Sequence, residues 1–180
     1  MGARVAASEH ARRRARTHAT AVQEHVERRD EIIEVEQSVE IHRPVGEVFA
    51  FLTDIENWTL LQPALQESER ETARGPMQVG NTYRQTLDIP SQRIELLCEV
   101  IEVEKNERIT LECSWDQLFL PISFVFEPLG DSTRLTATGE GRTGGFLALF
   151  EPLVENKVNA RLSAGLVELK NLLESEATSK

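Results

Sequence analysis

The stretch from Phe146 to Leu173 reads FLALFEPLVENKVNARLSAGLVELKNLL and repeats its apolar residues at three- and four-residue steps. Leu147, Phe150, Val154, Val158, Leu162, Leu166, Leu169 and Leu173 form the stripe, while Glu155, Lys157, Arg161, Glu168 and Lys170 fall mostly outside it. The spacing predicts one long amphipathic helix. Gly144 and Gly145 punctuate its start, and Pro152 is compatible with it only in the first turn or just after a break. At 1.5 Å per residue such a helix runs about 40 Å, and its apolar face needs a broad partner.

That partner is written upstream in period two. Ile33, Val35, Gln37, Val39 and Ile41 alternate with polar residues, as in a half-buried strand; His42 falls on the wet side. Arg43-Pro44 stops the strand. Pro44 is placed to open a short helix presenting Val45, Val48, Phe49 and Leu52, and a second helical turn holds Trp58, Leu60 and Leu61. After an edge segment at 65–73, Tyr83, Gln85, Leu87 and Ile89 alternate, followed by Ile94, Leu96, Cys98 and Val100. The parity then changes to Ile101 and Val103, which predicts a bulge. Lys105-Asn106-Glu107 turns the chain into Ile109, Leu111, Cys113 and Trp115; Ile122, Phe124 and Phe126 follow, and beyond Gly130-Asp131 come Leu135 and Ala137.

Strand, two short helices, about six strands on hairpin-length turns and a long helix describe an α+β fold with an antiparallel meander. Seven strands at ~4.8 Å spacing make a sheet roughly 34 Å wide, whereas one helix covers only about 10 Å of it. The sheet must curl around the helix. A ligand cavity between the two is a natural outcome.

Charge divides the chain. Residues 1–30 hold seven arginines against four acids, for +3, and residues 31–180 hold 13 bases against 26 acids, for −13. Residues 1–31 read as a basic, Ala/Arg-rich, flexible extension, 32–175 as the domain and 176–180 as a polar tail. The acidic body repels phosphate backbones, so nucleic acid is not an expected partner of the domain. No apolar run is long enough to span a membrane, and the two cysteines form neither a disulfide scaffold nor a metal-ligand pattern; a cytoplasmic protein is expected. No cofactor and no metal are expected, since phosphate-cradling loops, nucleophilic triads and metal clusters are missing from the sequence.

The first strand, the segment HRPVGEVFAFLTDIENWTLLQPAL, the Val-Gly before Tyr83, FEPLGDSTRLTATGEG and the helix ending LVELKNLLE resemble the START-like, or Bet v 1-like, superfamily with its polyketide cyclase/dehydrase and lipid-transport group. The resemblance covers residues 33–174. Its markers are Pro44, Val48, Phe49, Leu52, Asp54, Trp58, Gly80, Gly130, Thr133, Arg134, Leu135, Leu166, Leu169 and Glu174. It implies a helix-grip fold, and a role among hydrophobic-ligand carriers, polyketide aromatase/cyclases, ubiquinone-binding chaperones or ribosome-associated factors.

Residues sharing parity with the apolar set should face the concavity. This nominates Tyr83, Gln85, Leu87, Leu96, Cys98, Leu111, Cys113, Trp115 and Phe124 from the sheet, with Phe150, Val154 and Val158 from the helix, as ligand-binding residues. Gln37 shares that parity. Tyr83 and Glu151 are the candidates for acid–base work; a core tyrosine with its hydroxyl satisfied locally is the commoner situation. Cys98 and Cys113 fall opposite or nearly opposite each other across their turn, where facing thiols can form a disulfide or meet an electrophilic ligand; two inert, buried thiols are the expectation. The inward set is mostly aliphatic and aromatic, which favours binding a small hydrophobic or aromatic molecule such as a lipid, quinone or polyketide. A cyclase-type enzyme and an interaction module on a larger assembly are the alternatives.

Overall fold

The computed structural model describes residues 31–62, 64–71, 75–89, 92–116, 118–143 and 151–178. The order is β1 (Glu31–Ile41), α1 (Val45–Thr53), a 3-10 turn (Ile55–Asn57), α2 (Trp58–Leu61), β2 (Leu65–Arg70), β3 (Thr82–Ile89), β4 (Gln92–Glu104), β5 (Arg108–Trp115), β6 (Leu118–Leu129), β7 (Ser132–Thr143) and α3 (Glu151–Thr178). The seven strands form one sheet in the order β1-β7-β6-β5-β4-β3-β2, with antiparallel pairing throughout. Six consecutive strands are hairpin neighbours, and β1 closes the sheet beside β7. This is the curled, helix-gripping α+β fold expected from the sequence.

The turns obey backbone chemistry. Asn106 at φ 63° reverses β4 into β5, and Gly130 at φ 68° reverses β6 into β7. The parity change in β4 is a bulge: the register shifts between Val100 and Glu102, and Ile101 drops out of the pairing onto the outer face. Pro44 sits at the N-cap of α1 rather than as its first residue. Pro152 is the second residue of α3, where its missing N–H costs nothing, and the helix continues past Leu173 to Thr178, through the first part of the stretch read as a polar tail.

Gly139 and Gly141 lie inside β7, on its inner face. A Cβ on Gly139 would stand 2.5 Å from the Pro121 carbonyl oxygen, and one on Gly141 would stand 2.6 Å from that of Phe119. Their missing side chains let β7 close onto β6 where the sheet curls. Gly144 and Gly145 lie outside the described residues.

Helix α3 is fastened along edge strand β1. Gln37 Nε2 donates to Asn159 Oδ1 (3.1 Å), Asn159 Nδ2 to the Glu34 carbonyl (3.2 Å), and Lys170 Nζ to the Glu40 carbonyl (2.7 Å). At the far end Glu174 Oε1 accepts from the His42 backbone N–H (2.8 Å) and Lys170 Nζ (2.7 Å), and lies 2.9 Å from His42 Nδ1. Arg43 Nε donates to the Leu173 carbonyl (2.8 Å). His42 is thus exposed, as expected, yet serves as part of a clasp. This seals one end of the grip: Ile41, Val48, Leu52, Val100, Ile109, Leu111, Phe126, Leu135, Leu169 and Leu173 are all buried there.

Candidate functional site

The inner face is not packed evenly along its length. On β5, Ile109 and Leu111 are buried, whereas Cys113 and Trp115 on the same face are only partly so; Leu96 on β4 and Leu118 and Ile122 on β6 are likewise partly exposed, as is Val158 on α3. A side chain aimed into a concave face meets solvent only where the helix fails to fill the space before it. The unfilled part lies toward the start of α3, away from the clasp between His42 and Glu174.

Where this region meets the short helices, Leu52, Trp58, Leu61, Gln62, Phe124, Leu162, Gly165, Leu166 and Leu169 line a cleft of about 40 Å³. Trp58 is held by its Nε1–H, which donates to the Leu52 carbonyl at 2.9 Å, and its ring meets Phe124 edge-on with centroids 6.1 Å apart. Gly165 faces α2 closely: a Cβ there would be in ordinary contact, 3.7 Å from both the Leu61 carbonyl oxygen and Gln62 Cγ. A cleft of that size holds one or two water-sized groups. Ligand sites commonly run from roughly 300 Å³ upward, so a larger guest must lie along the partly exposed inner face.

The nominated residues therefore divide. Leu96, Cys113, Trp115 and Val158 border the unfilled region, and Phe124 joins the cleft. Leu87, Leu111, Cys98 and Tyr83 are buried in packed core. Phe150 lies outside the described residues, as do the side chains of Glu151 and Val154. Sequence reading did not place Trp58, Gln62 and Gly165 at the site, although the helical stripe already contained Leu162, Leu166 and Leu169.

Tyr83 is fully buried, and its hydroxyl accepts from Arg70 Nη2 at 3.0 Å, with the guanidinium carbon 5.3 Å from the ring centroid. Burial pushes its pKa up, and the charge and hydrogen bond of Arg70 only partly oppose this. This is the locally satisfied core tyrosine rather than a poised acid. Arg70, on edge strand β2, escaped the sequence reading because its segment has little periodicity.

Cys98 and Cys113 are direct cross-strand partners and form a disulfide, with Cα atoms 4.1 Å apart. The expectation of two free thiols is corrected. Cys98 is one residue farther from the turn than Cys113, and the bulge at Ile101 absorbs that residue, so the two sulfurs meet. Gln85 lies beside them, its Oε1 4.0 Å from Cys98 Sγ, a contact rather than a hydrogen bond because a disulfide carries no proton. Gln85 is 6% exposed, and its Nε2 has no hydrogen-bond partner; the Ser68 hydroxyl, opposite it on β2, has none either.

Among the described residues no helix is long and apolar enough to cross a membrane. A profile of the family described as polyketide cyclase/dehydrase and lipid transport matches residues 33–174. No curated protein matches the chain in sequence. Solved structures do so in shape. A protein from Thermus thermophilus has TM-score 0.68 at 18% identity, covering 79% of this chain and 98% of its own. The Zhui aromatase/cyclase from Streptomyces sp. R1128 has TM-score 0.69 at 15% identity, with 82% and 96% covered. A START superfamily protein from Mycobacterium smegmatis has TM-score 0.66 at 19% identity, with 79% and 98% covered. At these identities the likeness is one of fold.

Proposed function

The chain belongs to the polyketide cyclase/dehydrase and lipid transport family, and from that premise we propose that it binds a small hydrophobic or aromatic molecule between α3 and the sheet. The observation that carries this reading is the partial exposure of inward-facing Leu96, Trp115, Leu118, Ile122 and Val158 beside a tightly sealed opposite end. Apolar side chains left against solvent in a concavity gain free energy when a guest covers them, at roughly 25 cal/mol per Å². Native mass spectrometry of the purified protein, together with titration of the neutral probe N-phenyl-1-naphthylamine, tests it. Saturable binding with one-to-one stoichiometry is expected; no saturable binding of any neutral apolar probe would contradict it.

A cyclase-type activity is the second reading, supported by one feature: the buried, unpartnered Gln85 amide among apolar neighbours, able to donate to a substrate carbonyl. Binding is preferred because two other inward polar groups are already engaged, Tyr83 by Arg70 and Gln37 by Asn159. Gln85→Leu separates the two. A binder changes its affinity by at most ~1 kcal/mol, whereas an enzyme using that amide to hold a developing oxyanion loses about a hundredfold or more in rate.

A further inference from the structure

Three arginines of the described residues are partly buried: Arg43, Arg70 and Arg161. Arg43 is bonded to the Leu173 carbonyl and paired with Glu47, and Arg70 is bonded to Gly75 and Tyr83. Arg161 makes no hydrogen bond or ion pair among the described residues. Its pKa is lowered by burial alone, with no carboxylate near enough to offset the loss of water. The lack of a partner is not a lack of supply, since residues 31–180 carry 26 acids against 13 bases. Holding a guanidinium partly out of water without a counter-charge is unfavourable, and nothing among the described residues uses this one.

Its position says what could. Arg161 stands one turn before Gly165 and three residues after Val158, on the flank of α3 that faces Leu61 and Gln62. Side chains on a helix lean toward its N-terminus. From a position one turn before Gly165, that lean directs the Arg161 side chain toward the start of α3, the end where the inner face is unfilled.

We infer that Arg161 receives the anionic head of the bound molecule, so that the ligand is an amphipathic carboxylate with its apolar body against Leu96, Trp115 and Ile122. The inference rests on the hydrophobic-ligand reading above and narrows it from apolar molecules to apolar acids. The planar guanidinium presents paired N–H donors that match a carboxylate, and it stays charged at every physiological pH. Both a fatty acid and an aromatic acid carry this head.

The test displaces N-phenyl-1-naphthylamine from the full chain at pH 8 with matched acids and alcohols. Dodecanoate is compared with dodecan-1-ol, and 2-naphthylacetate with 2-naphthylethanol; the better pair identifies the apolar body. The wild type is expected to prefer the acid of that pair by roughly ten- to hundredfold, the usual worth of a charge-assisted hydrogen bond. Arg161→Gln should erase the preference while leaving alcohol affinity unchanged, and Arg161→Lys should keep part of it. Equal affinity for acid and alcohol in the wild type, or a preference that survives in Arg161→Gln, overturns the inference while the hydrophobic-ligand reading stands. Failure of all four compounds and of the probe overturns the reading itself.

Discussion

Replacing Gly141 by alanine tests how the sheet achieves its curl. The new Cβ would meet the Phe119 carbonyl oxygen at 2.6 Å, Leu120 Cδ1 at 2.7 Å and the Leu120 Cα at 3.1 Å. The leucine methyl group can turn aside; two of the three contacts are with backbone and yield only if β7 moves off β6 by several tenths of an ångström. Such overpacking costs about 1–3 kcal/mol. Alanine also narrows the unfolded ensemble, which returns roughly 0.4–1 kcal/mol. The net expectation is a loss of about 1–2 kcal/mol. Gly46→Ala is the internal control: the residue lies in α1 with nothing within 4 Å of a built Cβ, so the same chemical change should stabilise by about 0.5–1 kcal/mol. Urea denaturation followed by circular dichroism reads both as shifts in midpoint at constant slope. If Gly141→Ala were as stable as Gly46→Ala, close strand approach would not be what these glycines provide.

Other consequences follow from the same geometry. Leu162→Asp should unfold the domain, because the buried side chain exchanges roughly 1.5–3 kcal/mol of burial for a desolvated charge, whereas Val158→Asp, at the partly exposed border, should remain folded; equal melting behaviour of the two variants would contradict the uneven packing. Glu174 is held at a pKa of about 2, first by the His42 backbone N–H and then by Lys170, below its ordinary 4.5. A depressed carboxylate pKa contributes stability above the unfolded value that is lost as pH falls from about 4.5 toward 2, and for this largely solvated cluster the contribution is at most about 1 kcal/mol. Glu174→Gln should flatten stability over that window; an unchanged pH profile would remove the clasp from the account. On the outer face Glu99 lies directly opposite Glu112. Glu99→Lys should therefore raise stability by about 0.2–1 kcal/mol at low salt and less at 1 M salt, and a gain indifferent to salt would point to another cause.

The fold was legible because period and punctuation agreed. The alternation in β1 and β3–β5, the bulge at Ile101 and the stripe of α3 all stand in the residues themselves. The site was legible only as a face. Parity assigned Tyr83, Cys98 and Trp115 to one side of the sheet, but distance from the clasp, which decides that Tyr83 is packed and Trp115 is not, is a tertiary property. The disulfide depended on whether one bulge would correct the count from the turn, and parity alone leaves that open. Arg161 read as an ordinary flanking charge, since its lack of a carboxylate neighbour appears only once α2 is set against α3. The role of Gly139 and Gly141 was not legible, because glycine marks both turns and close approach, and sequence does not separate the two.

The central claim is that a guest occupies the concave side of the sheet, and neighbouring residues on opposite faces of β4 test it most directly. Leu96 points inward and is partly exposed; Leu97 points outward and is exposed. Titrating N-phenyl-1-naphthylamine into Leu96→Trp and Leu97→Trp places an indole on each face in turn. The expected result is at least a tenfold loss of affinity in Leu96→Trp, wild-type affinity in Leu97→Trp, and similar melting temperatures for both. Wild-type binding in Leu96→Trp, or a loss confined to Leu97→Trp, would place the guest elsewhere and contradict the account.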